Sequence, residues 1–460
     1  MIGWGWVIST GNWITQSGVV GAALGFVIGG IMIFFIGRTY AELISAMPKC
    51  GGEHVYSYKA LGPFGSFICT WAIVLGYVSV VCFESCTIPL VFSYLYPDFL
   101  QGYLYSIGGY DIYATWLISA IAVAAAITYI NIRGVKMAAR VQSAFTLIIA
   151  AVGILLIVAG VFFGDTSNLE NQIFPPAEEK STFNAILTAA MVTPFFFIGF
   201  DVIPQAAEEI KVSFKKVGRI MLMSIVLAVL FYVGVILSVG LIMDAAQIET
   251  SMGASGLVTA DALALAFNSD IMSKVVLVGG LCGIITSWNA FLLGSSRAVY
   301  SMAESHMIPR TFAKLHKKYK TPVVAILFIG ILSMLSPFLG RQMLVWIVDA
   351  GNLGCCLAYF LVALSFLRLR KTHPEMPRPY KVRHYKTVGT IALLMSGFMV
   401  VMYLIPGTGV TLAPIEWAII LGWTALGIIL AAVSLKKYGH FDDPSVDVKP
   451  YNHVEEVKSK

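Results

Sequence analysis

Apolar stretches of about 20 residues, the length that crosses the hydrocarbon core of a bilayer, follow one another along almost the whole chain. Twelve are predicted, over 1–16, 18–47, 64–95, 113–131, 140–163, 184–207, 217–243, 272–302, 322–340, 342–368, 387–405 and 414–435. The chain is 58% hydrophobic and 12% charged, where soluble domains run near 45–50% and about 25%. A water-soluble fold of this length could not hide so much apolar surface, so lipid is the expected solvent.

Charge placement supports the count. With twelve crossings and both termini in the cytoplasm, all 31 Lys and Arg except Lys180, Lys274 and Arg341 fall on the cytoplasmic side. The positive-inside rule requires that asymmetry. The net charge of +6 is spread along the flanks of apolar spans, with no patch that would suit a nucleic acid. Six of the seven cysteines lie in apolar spans and Cys50 in a loop, the pattern of free thiols. The seven histidines all map to cytoplasmic loops or the tail, so no buried histidine site is expected, and no GxxxxGK[ST] loop occurs. An enzyme, a cofactor-dependent protein and an ATP-driven pump are therefore disfavoured.

The informative positions are those that break membrane rules, because unpaired backbone survives at depth only where it lines a protein cavity. The first is the start, where Gly3, Gly5 and Gly11 make a poor continuous helix. The second runs from Thr193 to Pro204, where Pro194 and Pro204 bracket Gly199 and Asp201. The plain alternatives are close packing through small residues and a simple proline kink. Breaks in spans 1 and 6 match transporters built from two inverted five-helix repeats, each starting with a discontinuous helix.

Three further motifs follow in order. They are Glu42 to Tyr56 (ELISAMPKCGGEHVY), Phe197 to Lys211 (FIGFDVIPQAAEEIK), and Ser296 to Pro309 followed by Thr321, Pro322 and Val323. On these the chain resembles the amino acid–polyamine–organocation superfamily of permeases, nearest the cationic amino acid transporter-like branch. The resemblance implies an all-α integral-membrane fold of 12 helices. Residues 1–163 would form the first inverted repeat and 184–368 the second. Helices 11 and 12 would lie in 387–435, before a cytoplasmic tail at 436–460. It implies a multi-pass transporter of the cell membrane that moves an amino acid by alternating access, or a polyamine or amino acid exchanger of the same fold.

By the same resemblance, the Gly3-Trp4-Gly5 amides receive a substrate carboxylate and the backbone at Ile198 and Gly199 accepts from its ammonium. Phe195, Ile198 and Asp201 border the side-chain pocket, and Phe200 is the aromatic gate. Relatives carry a segment and half-helix 1a before this motif, so the true start is expected some tens of residues upstream. Trp4 and Trp6 replace small or aliphatic residues and are expected to narrow the pocket. Where some proton-coupled relatives have a helix 5 lysine, this chain has Ile149.

Coupling then needs another carrier. Glu84 is the first choice, since a carboxyl deep in an apolar span can carry a proton or meet a substrate ammonium. Sodium is the rival, held by helix 1 carbonyls and the Thr286 and Ser287 hydroxyls, although such hydroxyls often bond their own helix. Asp349 is a candidate gate or hinge. Arg297 and Glu304, with Glu42, Glu208 and Glu209, are candidates for an inner gate. No cofactor is expected; the partners are a small-molecule substrate, H+ or Na+, and the lipid bilayer.

Overall fold

The structure is a computed structural model that describes residues 1–134, 139–176, 178, 180–210, 212–406 and 410–445. Lys211, the tail from 446 onward and the side chain of Glu209 lie outside the described residues.

Fifteen α-helices make up the described chain: α1 Gly5–Ser17, α2 Val19–Ala46, α3 Glu53–Leu95, α4 Ala114–Ile132, α5 Ala139–Phe163, α6 Thr182–Phe197, α7 Val202–Gln205, α8 Phe214–Ile242, α9 Ala245–Ala254, α10 Val258–Phe267, α11 Asp270–Glu304, α12 Val323–Leu335, α13 Met343–Thr372, α14 Tyr385–Leu404 and α15 Pro414–Tyr438. Among the described residues ten helices are long and apolar enough to cross a membrane. The other two predicted spans correspond to shorter helices, α1 with 13 residues and the stretch Val323–Leu339 that α12 opens.

Three other expectations change. The span expected from residue 64 follows a break at Gly62, whose φ of 79° precedes Pro63, and a further helical stretch from Glu53, which was not expected, comes before it. Gly11 does not interrupt α1, which runs through it. The fold is not purely helical, because Tyr103–Ile107 (β1) and Tyr110–Tyr113 (β2) form an antiparallel hairpin between α3 and α4. We call that side of the bundle the hairpin end, and the side carrying the Lys- and Arg-rich loops the basic end.

Packing follows from small residues. A Cβ on Gly354 of α13 would meet the Ala72 carbonyl of α3 at 2.6 Å, and one on Gly351 would meet Ser79 Cβ at 2.7 Å. The polar middle of span 10 is thus a seam along which α3 and α13 lie close. Gly25 and Gly29 of α2 are likewise packed against Ala189 and Thr193 of α6. The outer surface carries bare apolar side chains, with Phe162 77% and Leu147 70% exposed on α5 and Ile118 67% exposed on α4. The interior, by contrast, holds Glu42, Glu53, Glu84 and Asp201. Apolar outside and acidic inside is the arrangement that lipid stabilises and water would not.

Candidate substrate-binding site

The α6 helix stops at Phe197, and residues 198–201 are non-helical before the short α7 resumes the direction. Pro194 has no amide to donate, and the next amide, Phe195 N–H, donates instead to Asn352 Oδ1 of α13 at 2.8 Å. Gly199 then takes φ 129°, a conformation nearly closed to other residues. Asp201 caps the break: its Oδ1 accepts from Gly199 N–H at 2.7 Å and its Oδ2 from the Tyr359 hydroxyl at 3.0 Å. Tyr77 donates to the Asp201 carbonyl at 3.0 Å. Three backbone groups at the break, Phe195 N–H, Gly199 N–H and Asp201 C=O, are thereby satisfied.

The first four residues are also non-helical, and this stretch meets the α6 break. A Cβ on Gly199 would come within 2.8 Å of Met1 N. The Tyr232 hydroxyl of α8 reaches both segments, 3.1 Å from Met1 O and 3.2 Å from Phe196 O. Gly280 and Gly283 of α11 admit the start of the chain. The Trp4 indole lies on Gly280, and a Cβ on Gly283 would meet Gly3 C at 3.1 Å and the Ile149 side chain.

Between the two segments lies a small cavity with a volume of ≈ 30 Å³ open to water. Its wall is Met1, Gly3, Gly5, Val80, Phe83, Glu84, Phe195, Phe196, Ile198, Tyr232, Ser287 and Phe291. The opening turn of α1 faces it from one side and the last turn of α6 from the other, so the amides that start one helix and the carbonyls that end the other border the same space. Glu84 is 2% exposed; its Oε1 accepts from Ser287 Oγ and its Oε2 has no hydrogen-bond partner. No Lys, Arg or His lines the cavity.

Phe83 and Phe196 line this cavity and also a larger vestibule of ≈ 390 Å³. The vestibule is flanked by Tyr110 and Arg341 at the hairpin end. Two rings therefore divide the two spaces. Toward the basic end the barrier is deeper. Phe200 packs on Tyr40 and Tyr359 with ring centroids 5.3 and 5.6 Å apart. Gln205 donates to Glu53, which the Tyr77 hydroxyl also approaches at 3.4 Å. None of these seven residues, Asp201 included, is more than 1% exposed.

Of the residues singled out from the sequence, Gly3, Gly5, Glu84, Phe195, Ile198 and Ser287 are brought together around the cavity. Others lie elsewhere. Trp4 and Trp6 turn away into the helix packing, Trp6 edge-on to Phe231 at 5.5 Å, so they do not narrow the space. Gly199 and Asp201 form the break without lining the cavity, and Phe200 is sealed below it, so the ring at the cavity mouth is Phe196. Thr286 is directed at its own helix, donating to Cys282 O and Gly283 O, both at 3.0 Å. Asp349 lies on the vestibule.

Glu42, one of the inner-gate candidates, is paired with Arg370 at 2.6 Å and Arg378 at 3.1 Å, and one further expectation, that of His54, is corrected. Burial draws the Arg378 guanidinium down from its ordinary value, and the Glu42 carboxylate opposes that shift. His54 is fully buried in α3, its ring nitrogens 2.8 Å from Ser66 Oγ and 2.9 Å from Ser305 Oγ. Tyr232, Phe83, Phe196 and Phe291 were not singled out at all. An aromatic residue in an apolar span reads as core or anchor, and no local signal separates these from the rest.

The amino acid permease family model matches residues 1–428. A branched-chain amino acid permease of Bacillus subtilis is 26% identical over 415 residues, covering 87% of this chain and 85% of that protein. A methylthioribose transporter of the same organism is 26% identical over 454 residues, covering 95% and 92%. A lysine-specific permease of Escherichia coli is 24% identical over 385 residues, covering 80% and 75%. With a matching family model over nearly its whole length and a helical bundle that encloses a cavity at mid-depth, the chain belongs to the amino acid permease family, multi-pass membrane transporters and not enzymes.

Proposed function

We propose that this permease imports a small apolar amino acid across the cell membrane by alternating access, with its termini and basic end in the cytoplasm. One observation carries the reading: a single cavity is bordered by the amides that open α1 and the carbonyls that close α6. A carboxylate suits the first and an α-ammonium the second, so the pair is complementary to a zwitterion. Val80, Phe83, Phe195, Phe196, Ile198 and Phe291 make the rest of the wall apolar, which selects an aliphatic side chain. The named substrate of the branched-chain relative fits that wall.

Proton coupling is the favoured mode, with Glu84 as carrier. It faces the cavity and keeps one oxygen without a hydrogen bond. Sodium has less support, since Thr286 does not line the cavity and Ser287 is engaged with the Glu84 carboxylate. The two five-helix repeats and the division at 163, 184, 368 and 387 belong to the same proposal.

A second reading, an organic amine or exchange, rests on the acid in a wall without a base. Proteoliposomes separate the two. Labelled leucine should accumulate when a proton gradient is imposed, and excess putrescine should compete poorly. The Glu84→Gln variant should lose gradient-driven accumulation by more than about 10-fold while still exchanging leucine. Full accumulation by Glu84→Gln removes the coupling role; strong competition by putrescine favours the amine.

A further inference from the structure

At the basic end, α11 stops at Glu304, and residues from two distant stretches of chain meet just beyond it. His306 follows α11, while His440 and Asp442 follow α15. His306 Nδ1 lies 2.6 Å from Asp442 Oδ2, and His440 Nε2 lies 2.9 Å from Asp442 Oδ1. One ligand-type atom from each residue falls within 4.8 Å of the other two. Among the described residues no other group of three His, Cys, Asp or Glu side chains does so.

The cluster is braced by its surroundings. His306 has φ 57°, a left-handed conformation uncommon outside glycine. Its ring stacks on Tyr438, centroids 4.2 Å apart and planes at 24°. Its carbonyl accepts from Ser434 Oγ at 2.6 Å. Asp442 N–H donates to Ser305 O at 2.9 Å, and the Tyr58 hydroxyl to Phe441 O at 3.0 Å. The segment after α15 is therefore pinned to the ends of α11 and α3, and His306 and Asp442 are held close together before any ligand arrives.

The two ring nitrogens of His306 supply an independent observation. Both are buried and neither makes a hydrogen bond. Nδ1 is close to Asp442 but out of line for one, and Nε2 has no partner. Buried ring nitrogens left in this way are costly, and a metal ion that takes a lone pair relieves the cost.

We propose that His306, His440 and Asp442 bind a transition-metal ion of the Zn2+ class. Two imidazole nitrogens and one carboxylate oxygen are a borderline donor set that suits Zn2+ and leaves a fourth position for water. With bonds of about 2.0–2.1 Å, tetrahedral ligand atoms stand about 3.3 Å apart. The spacings here, 2.6 and 2.9 Å and at most 4.8 Å, bracket that value. His440 is 68% exposed and free to swing onto the ion. The bound ion fastens the segment after α15 to the end of α11.

The test uses the full chain in detergent, with any affinity tag removed. Co2+ is titrated in, because its tetrahedral complexes absorb visible light, and Zn2+ is then added to displace it. The wild type should bind one equivalent with a visible band that Zn2+ abolishes. His440→Ala and Asp442→Asn should each weaken binding by more than about 10-fold, since loss of even an outer partner costs that much. His306→Asn, which tolerates the left-handed backbone, should do the same. Melting without metal reads folding separately, and Zn2+ should raise the melting point of the wild type alone. No band in the wild type, or a band that persists in His440→Ala and Asp442→Asn, overturns the proposal.

Discussion

Asp201 illustrates how a single side chain in a membrane bundle can be mistaken for a ligand contact. An acid at depth reads as a substrate group because such charges are rare and costly. Here both of its oxygens are committed to the protein, one to Gly199 N–H and one to Tyr359. Replacing it with alanine leaves two buried donors unpaired, at about 1–3 kcal/mol each. Asp201→Ala should therefore melt several degrees lower than the parent, with uptake lost, whereas Asp201→Asn keeps the bond to Gly199 and should lose less of both. If Asp201→Asn abolishes uptake with its melting point intact, Asp201 touches substrate after all. Glu84 is the opposite case. Its burial was legible from apolar neighbours on both sides, but the Ser287 partner on α11 was visible only once α3 and α11 were placed together.

The interrupted α6 was the most legible element, for a local reason. Proline deletes its own amide and glycine opens its own backbone, so Pro194 and Gly199 act without help from distant residues. Gly11 misled because one glycine costs a helix only about 1 kcal/mol. Packing of α1 on Met252 and Val258, close enough to crowd any Cβ there, outweighs that. The short α9 and α10 and the hairpin were not predicted, since their stretch lengths fall below a span and their pairing depends on loops that only the bundle brings together. Gly199 belongs to this scale too. Gly199→Ala would combine an unfavourable φ with a contact on Met1 at 2.8 Å, a strain of about 1–3 kcal/mol. The two segments should then part, with uptake falling by about 10-fold or more in liposomes; uptake like the parent's would show that their contact is dispensable.

Across the whole molecule the cavity is closed unequally. Only Phe83 and Phe196 stand between it and the vestibule, against a thick buried layer on the other side. A cysteine placed at Ser287 tests this. A membrane-impermeant thiol reagent should label Ser287→Cys slowly from the hairpin end and several-fold faster when Phe196→Ala is added, with no labelling from the basic end in either case. Equal labelling from both ends would show that the barriers are alike.

The inequality bears on timing. Two rings move aside by local side-chain rotation, whereas a seam of interlocked helices parts only by collective motion over microseconds to milliseconds. A guest held beside Glu84 would thus try the door toward the hairpin end many times for every release toward the basic end. Turnover would be limited by the parting of α6 from α2 and α13, and a substrate that turns over fast is one that helps those helices separate.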